Sequence, residues 1–287
     1  MAATLRFPAD AAVDLHMHTL YSDGKWRPVD LFDMLAHAGF RVVSVVDHDM
    51  LAHLPEVTEL GDKRAIAVIP GTEVTTEWRG LAAHLLCYAP LPTGFTSDAL
   101  SALIVETAAR MRANTRMIYD AMLARGYTFP RQAELLVDQQ GEVIRAKDVA
   151  DLLVGHGYTP GPREANQMVI EAGYRQVRAP IEQAVAAAHA SGAIALIGHP
   201  GRGEGEIHGY APAEIEALLT DVPLDGIEVY YPTHTREQIN AYEALARRHG
   251  LLMGAGSDSH GPRQRMPIPY PASRIAPLLE RLGVSVS

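Results

Sequence analysis

The sequence predicts a barrel-like parallel α/β domain that is interrupted by a helical insertion. Short apolar, β-branched runs alternate with helical patterns over residues 11–90 and again from about residue 180. This alternation is typical of βα units and a parallel sheet. Between about residues 97 and 173 the alternation stops, and apolar residues recur at near-helical spacing.

In the first part of the chain, each apolar run is short and bounded by polar or turn residues. The helix begins at Pro28 and ends before Gly39, since proline opens helices and glycine ends them. We expect strands at 12–16, 41–46, 65–69 and 81–88, and a helix at 28–38.

The middle of the chain is predicted to be helical, with further helices at 130–138, 145–155 and 163–172. We therefore divide the chain into a barrel domain, residues 1–94 and 179–287, and a helical insertion domain, residues 95–178.

The alternation then resumes. We expect helices at 181–190, 212–219, 235–249 and 274–282, and strands at 193–198, 226–230 and 251–255.

Composition excludes several classes of protein. The 287 residues include 25 Lys and Arg against 34 Asp and Glu, a net charge of −9, which argues against binding of long duplex nucleic acid. No apolar run reaches the ~18–20 residues of a membrane helix, and the N-terminus lacks the pattern of a secretory signal. The single cysteine, Cys87, excludes an internal disulfide and a thiolate metal site, so a cytoplasmic location is expected. The sequence does not indicate an oligomeric state.

Histidines and carboxylates gather at the predicted strand ends, where the chemistry of such folds is found. His16 and His18 lie two residues apart in an extended segment, so both imidazoles can reach one ion. Asp258 and His260 repeat this spacing after the last strand. Asp23 lies in a turn near the first strand, and His84 lies within the fourth. The remaining candidates follow other strands: His48, Glu73 and His199. Nitrogen and oxygen ligands without thiolate suit Zn, Mn or Fe. We expect at least one of Asp14, Asp47 and Asp49 to orient an imidazole instead of binding metal.

The order of these motifs carries a family resemblance. H-x-H at 16–18 is followed by S-D-G at 22–24, D-H-D at 47–49, G-x-E at 71–73, a strand histidine at 84, H-P at 199–200 and D-x-H at 258–260. This order resembles the PHP (polymerase and histidinol phosphatase) family of metal-dependent phosphoesterases, over about residues 12–90 and 180–262. The length, the insertion and H-P-G-R at 199–202 resemble a stand-alone bacterial subgroup that acts on 3′,5′-bisphosphonucleotides and on the 5′ ends of short oligoribonucleotides.

The resemblance implies a distorted (β/α)7 barrel, residues 1–94 and 179–287, that holds two to three divalent ions, Mn, Fe or Zn. The helical insertion, residues 95–178, would then form a cap over the substrate. It implies a first ion held by His16, His18, Glu73 and Asp258, a second held by Glu73, His84 and His199, and a third held by Asp23, His48 and His260. Glu73 would bridge the first two ions, which lower the pKa of a shared water from ~15.7 toward ~7. We therefore expect Glu73 and Asp258 to be catalytic.

Substrate contacts are predicted from positive charge near these motifs. Arg202, three residues after His199, can fork onto a phosphate. Arg145 corresponds to an arginine that reaches over the site in the family, and Lys147 stands where relatives commonly have histidine. Lys25 is a further phosphate-binding candidate. His234 follows a strand and could bind substrate or protonate a leaving group.

Other functions remain open at this point. The substrate could be histidinol phosphate or another small phosphomonoester instead of a nucleotide. An amidohydrolase-type enzyme would cleave C–N bonds on a similar barrel, but it commonly uses a bridging modified lysine, and no lysine follows a predicted strand. A non-catalytic metal-binding module would use the barrel to bind nucleic acid or partner proteins. Loss of a ligand would indicate it, but every ligand position is filled, and the composition does not favour the basic surface that it would also need.

Overall fold

In a computed structural model, residues 5–137, 140–203 and 207–287 are described. The chain divides into two compact units, Met1–Ile104 with Arg178–Ser287, and Val105–Val177. We call them the α/β unit and the helical unit. The predicted domain boundaries at 94/95 and 178/179 stay a prediction. Among the described residues, no helix combines the length and apolar character that crossing a membrane requires.

The α/β unit contains three hydrogen-bonded sheets. The strands are β1 (Leu5–Phe7), β2 (Ala12–Asp14), β3 (Phe40–Val43), β4 (Ala67–Val68), β5 (Gly71–Trp78), β6 (Leu81–Tyr88), β7 (Ala179–Pro180), β8 (Ile194–Ile197), β9 (Gly226–Tyr230), β10 (Leu252–Ala255), β11 (Tyr270–Pro271) and β12 (Val284–Val286). Their orders are β10-β9-β8-β6-β5-β7 in the largest sheet, β11-β2-β3-β4 in the second and β1-β12 in the third.

The prediction of an α/β fold is confirmed, but the prediction of a parallel sheet is wrong in part. Strand β6 runs antiparallel to both β5 and β8. A tight hairpin at Arg79-Gly80 joins β5 to β6, and both residues have positive φ, 51° and 77°, as type I′ hairpin turns require. Strand β5 itself was not predicted. Its Thr and Glu residues alternate with few aliphatic ones, so it lacks the apolar run by which the other strands were found.

Two isolated bridges link the larger sheets. Met17 pairs with Ser259 beyond the ends of β2 and β10, and His48 pairs with Glu73 beyond the end of β3. The strand pairing of the described residues does not by itself close one barrel, so the distorted barrel stays a prediction. The bridges do place the ends of β2, β3, β5 and β10 beside one another.

The helices of the α/β unit cover the sheets with apolar faces. They are α1 (Pro28–His37), α2 (Leu54–Asp62), α7 (Ile181–Ala190), α8 (Pro212–Asp221), α9 (Arg236–His249) and α10 (Ala276–Arg281), the last preceded by a 3₁₀ turn at Ala272–Ile275. A large core of β5, β6, β8 and β9 packs on α7, α8 and α10, and a smaller one packs α1 on β3. Helix α2 was not predicted, and neither were β1, β7, β11 and β12.

Helix α3 (Ala99–Ala124) begins before the boundary between the units and continues into the helical unit. That unit also contains α4 (Gln132–Leu135), α5 (Ala146–Gly155) and α6 (Pro162–Glu171). Its core includes Ile118, Met122, Leu152 and Val169. The expectation of helices in this part of the chain is met, while its role as a cap stays a prediction.

Candidate metal centre and family

Nine side chains predicted as ligands lie at the ends and inner faces of the strands just described. His16 and His18 follow β2, His48 follows β3 and His199 follows β8. Asp258 and His260 follow β10, and Asp23 lies in the turn after His18. Glu73 lies within β5 and His84 within β6, on one face of the hairpin, because His84 pairs with Thr75, two residues from Glu73. Glu73 therefore lies inside a strand, not after one as predicted.

A first group of potential ligand atoms consists of His16, His18, Glu73 and Asp258. The Nε2 atoms of His16 and His18 are 3.1 Å apart, and each lies 3.0 Å from Glu73 Oε2. Asp258 Oδ1 lies 3.3 Å from His18 Nε2 and 3.5 Å from His16 Nε2. All four side chains are buried. This is the set that the resemblance implies for the first ion.

The second group is centred on the other oxygen of Glu73. Oε1 lies 2.8 Å from His84 Nδ1 and 3.0 Å from His199 Nε2, and these two nitrogens are 3.2 Å apart. His48 lies beside the oxygen of the first group, with Nε2 3.5 Å from Glu73 Oε2. His48, Glu73 and His84 form a potential metal-binding group. His48 therefore lies between two groups, whereas the sequence assigned it to the third ion alone.

The third group joins His18, Asp23, His48 and His260. His260 Nε2 is 3.2 Å from Asp23 Oδ1, and the rings of His18 and His260 stack with centroids 4.3 Å apart. His18 thus adds an imidazole to the set predicted from the sequence. The groups share His18, His48 and Glu73, so they form one continuous cluster.

The donor atoms fit divalent ions in kind and in spacing. Around an ion with bonds of about 2.0–2.2 Å, tetrahedral ligand atoms stand roughly 3.3–3.6 Å apart and octahedral neighbours about 3 Å apart. The distances within the groups fall in this range. The Nε2 atoms of His16 and His18 are 3.1 Å apart and lie beside buried carboxylates. Their lone pairs and the carboxylate charges would repel one another there, and a bound cation removes this electrostatic cost.

The carboxylates of the cluster are strongly biased toward their charged form. Burial alone would raise the pKa of Glu73, but the imidazoles of His16, His48 and His84 hold that pKa well below its usual range. Burial likewise opposes a low pKa for Asp258, and His16 and His18 outweigh it. The cluster therefore presents negative oxygen ligands throughout the neutral pH range.

The histidines respond to the same surroundings in opposite ways. Burial would lower the pKa of His18, but hydrogen bonds to Asp258 and Glu73 raise it to about 9. Burial lowers the pKa of His48 to about 3. A neutral imidazole is the form that binds metal, so His48 is ready to act as a ligand, while His18 has to release a proton when it binds one.

Two of the predicted ligand residues have strained main chains. His199 has a φ of 25° and Asp258 a φ of 53°, a region that side-chain-bearing residues rarely adopt. Such strain is retained where the surroundings fix a functional geometry. Here it turns each side chain from the end of its strand into the cluster.

Comparison with known proteins decides the family. The model of the PHP domain family matches residues 14–218, more than half of the chain. The chain belongs to the PHP domain family. The resemblance seen in the motifs is thereby confirmed. Membership of this family is consistent with a metal-dependent hydrolase.

Several curated proteins are similar in sequence to this chain over most of its length. It is 27% identical to the 3′,5′-nucleoside bisphosphate phosphatase of Chromobacterium violaceum, over 88% of each chain. It is 28% identical to a 5′-3′ exoribonuclease of Haemophilus influenzae, over 87% of this chain and 90% of that one. It is 26% identical to the phosphoribosyl 1,2-cyclic phosphate 1,2-diphosphodiesterase of Eggerthella lenta, over 88% and 96%.

Solved structures show the same fold. A protein from Bifidobacterium adolescentis, provisionally named a metal-dependent phosphoesterase, superposes with a TM-score of 0.70 at 24% identity, over 96% of this chain and 98% of that one. A Chromobacterium violaceum protein described as an amidohydrolase with bound sulfate and no metal gives 0.70 at 25% identity, over 94% and 97%.

A pocket of about 390 Å³ lies against the cluster of this PHP chain. It is lined by Asp23, Arg202, Asp258, His260, Gln264 and Arg265. Arg202 Nη1 is 2.8 Å from Asp258 Oδ2, so the predicted phosphate-binding arginine does reach the cluster. Lys25 is exposed, and its main-chain N–H donates to the His260 carbonyl at 2.6 Å.

His234 has a different setting from the one predicted. It is 7% exposed. Its Nδ1–H donates to the Val229 carbonyl at 2.9 Å, and Nε2 accepts from the Gly201 N–H at 3.0 Å. Both ring nitrogens are therefore used by the main chain, which leaves neither to protonate a leaving group in this arrangement. The contacts instead hold the turn that follows His199.

Arg145 and Lys147 lie in the helical unit, at the start of α5. Asp148 accepts from the Arg145 main-chain N–H at 2.8 Å and pairs with its guanidinium at 3.2 Å. Lys147 pairs with Asp151 one turn later. Their contact with a substrate stays a prediction.

Sequence reasoning missed Glu228, Tyr231 and Arg265. It also misplaced the carboxylate that orients an imidazole. Hydrogen bonds of Asp14, Asp47 and Asp49 go to main-chain N–H groups and hydroxyls, whereas Glu228 accepts from His16 Nδ1. Two features of the sequence could have indicated such residues: an acidic residue inside the apolar strand 226–230, which is Glu228, and an arginine soon after the D-x-H motif, which is Arg265.

Proposed function

We propose that this chain is a metal-dependent phosphoesterase that hydrolyses a phosphate ester of a small phosphorylated substrate. The substrate we propose is a nucleotide, either a 3′,5′-bisphosphonucleotide or the 5′ end of a short oligoribonucleotide. The observation that carries the proposal is the arrangement of Glu73. Its two oxygens face two different sets of imidazoles, beside a pocket with two guanidinium groups.

The three ligand sets that the resemblance implies supply nitrogen and oxygen donors suited to Mn, Fe or Zn. The first set is His16, His18, Glu73 and Asp258; the second is Glu73, His84 and His199; the third is Asp23, His48 and His260. Bound divalent ions would make a water nucleophilic near neutral pH and neutralise phosphoryl oxygens. Glu73 would bridge two of the ions, because each of its oxygens faces a different set.

The residues around the cluster would orient the phosphoryl group. Arg202 and Arg265 lie on the pocket side of Asp258, where guanidinium groups can fork onto phosphoryl oxygens. The negative net charge of −9 does not oppose this, since bound ions would supply positive charge at the point where the substrate arrives.

Sequence relatives favour a nucleotide-like substrate, since the proteins compared above are named for a nucleoside bisphosphate, an RNA and a phosphoribosyl cyclic phosphate. The name of one structural neighbour keeps amide hydrolysis as the alternative. Against that alternative, the residue that we propose as the bridge is Glu73 and not a lysine.

A phosphate-release screen tests the proposal. The Mn-loaded protein would be assayed against bisphosphonucleotides, 5′-phosphorylated short RNA, mononucleotides, ribose cyclic phosphate, histidinol phosphate and sugar phosphates. We expect turnover of a nucleotide substrate, lost in Glu73→Gln and retained in Glu77→Gln, a control on the same strand. Hydrolysis of amides without phosphate release would overturn the proposal, and equal turnover of all phosphomonoesters would overturn its nucleotide specificity.

A further inference from the structure

Glu228 is an acidic residue buried in the middle of an otherwise apolar strand. It lies in β9, between Ile227 and Val229, and only 1% of it is exposed. A buried carboxylate costs several kcal/mol unless hydrogen bonds or opposite charges compensate it. Its contacts therefore indicate why the strand retains it.

The two oxygens of Glu228 bind two different ligand residues of the cluster. Oε1 accepts from the Nδ1–H of His16 at 2.9 Å. Oε2 accepts from the main-chain N–H of His199 at 2.7 Å. His16 belongs to the first ligand group, and the His199 ring faces the other oxygen of Glu73. One carboxylate thus connects the two sides of the Glu73 bridge.

The contact with His16 decides which ring nitrogen can bind metal. Both ring nitrogens of His16 face a carboxylate, Nδ1 that of Glu228 and Nε2 that of Glu73, but only Nε2 also faces the Nε2 of His18 within the ligand group. An ion held by His16 would therefore take the Nε2 lone pair and leave the proton on Nδ1, where it donates to Glu228, because a carboxylate only accepts. Carboxylates that accept from a ligand histidine fix its tautomer and orientation, and their loss costs about 10–100-fold in metal affinity.

The contact with His199 restrains a strained main chain. The φ of 25° at His199 needs surroundings that hold it, and its N–H is fixed by Glu228 while its ring reaches Glu73 at 3.0 Å. The neighbouring strand leaves room for the arrangement. A Cβ at Gly256 would stand 2.7 Å from Glu228 Oε1 and 2.1 Å from His16 Cβ.

We propose that Glu228 is a positioning residue that holds His16 in its Nε2-ligating form and fixes the His199 main chain, so that it aligns both sides of the metal cluster. The proposal rests on the metal-binding part of the proposed function. It assigns no contact between Glu228 and substrate.

Glu228→Gln tests this role. A glutamine keeps the shape but offers one acceptor oxygen, so its amide group must face one of the two N–H donors. We expect Mn²⁺ and Zn²⁺ affinity, measured by calorimetric titration of the metal-free protein, to fall about 10–100-fold. Elemental analysis would show fewer bound ions, while circular dichroism in chelator confirms that the variant is folded.

Asp225→Asn is the matched control. Asp225 lies just before β9, and its Oδ2 accepts from His189 Nε2 and from the Ala195 N–H, both at 2.8 Å, so it has the same kinds of partner as Glu228, one imidazole and one main-chain N–H, outside the cluster. We expect metal affinity like that of the unaltered protein. Wild-type affinity in folded Glu228→Gln, or an equal loss in both variants, would overturn the proposal.

A spectroscopic measurement on the unaltered protein does not depend on the variant's folding. In the Zn-loaded protein, nitrogen-15 NMR of the histidine side chains should show a proton on His16 Nδ1 and metal on Nε2. Metal on Nδ1 would overturn the role of Glu228 even if phosphate release stands. The expected spectrum in a protein that releases no phosphate would instead count against the proposed function alone.

Discussion

At the residue scale, Asp258 connects the proposed metal site to the pocket. Its Oδ1 faces His18 and His260, at 3.3 and 3.2 Å. Its Oδ2 accepts from Tyr231 Oη and Arg202 Nη1, both at 2.8 Å. Arg265 donates to Tyr231 Oη at 3.0 Å and to the Ser257 carbonyl at 2.9 Å. The pocket-side oxygen of Asp258 is thus held by groups that could also meet a phosphoryl oxygen.

Substitution of Arg202 should therefore affect substrate binding more than metal binding. Hydrogen bonds to charged groups contribute about 1.5–3 kcal/mol, so Arg202→Ala should raise KM for a phosphate monoester roughly 10–100-fold. Metal content, by elemental analysis, should remain close to that of the unaltered protein. Arg263→Ala, at an exposed arginine soon after His260, is the control. Unchanged kinetics in Arg202→Ala would remove this arginine from the site.

His53 links stability to pH. It is fully buried, its Nε2–H donates to the Val45 carbonyl at 3.0 Å, and burial lowers its pKa from the usual 6.5. Below pH 6.5 the unfolded chain binds a proton that folded His53 resists, so its contribution to stability is present above 6.5 and lost as the pH falls toward the folded pKa.

We expect His53→Gln, which can still donate to Val45, to be less stable than the unaltered protein at pH 8, and the gap to narrow between pH 6.5 and 5. Urea unfolding in chelator measures both proteins without a contribution from metal release. A gap that widens toward low pH would contradict a neutral buried His53.

At the element scale, the end of β10 packs closely against the segment after β2. Gly256 lies there, and an added Cβ would stand 2.1 Å from His16 Cβ and 2.9 Å from the His16 main-chain nitrogen. The strand end must shift to accept it, at a cost of about 1–3 kcal/mol. We expect Gly256→Ala to lower both the free energy of unfolding and the number of bound ions.

Gly161→Ala is the matched control, since its Cβ would meet only Glu164 Oε2, at 3.5 Å. The exchange creates no clash and loses only the preference for Gly over Ala at the N-cap of α6, so the number of bound ions should not change. Denaturant unfolding and elemental analysis would be run on both variants. Wild-type stability and metal content in Gly256→Ala would show that the close approach is not required.

The elements differ in how well the sequence predicts them, for a physical reason. β6, α7 and β9 have the predicted bounds, because each is a largely apolar segment. β5 was missed although Thr72, Glu73 and Thr76 are fully buried, because polar residues face the cluster and the hairpin partner. The ligand types were predictable from strand-end motifs. Glu228 was not, because its partners depend on how β9 lies beside β8 and β10.

At the scale of the whole molecule, part of the negative charge is concentrated in the cluster. Asp23, Glu73 and Asp258 are three of the 34 acidic residues behind the charge of −9, and they lie with histidines in the potential ligand groups. Divalent ions bound in the cluster would neutralise the negative charge of these three carboxylates. Metal binding to the folded chain should therefore stabilise the molecule as a whole.

The size of this stabilisation follows from mass action. An ion at 100 times its dissociation constant stabilises the folded state by about 2.7 kcal/mol. For a unit of the size of the α/β unit, which contains the cluster, each kcal/mol raises Tm by about 2–4 °C. One occupied site should therefore raise Tm by roughly 5–10 °C, and chelator should reverse the change. Glu73→Gln removes the negative charge of a carboxylate that faces both sets of imidazoles, so its Tm should respond much less to Mn²⁺. Glu77→Gln should respond as the unaltered protein does. Thermal unfolding with Mn²⁺, with Zn²⁺ and with chelator measures these shifts, and a Tm indifferent to metal in the unaltered protein would contradict a high-affinity metal cluster.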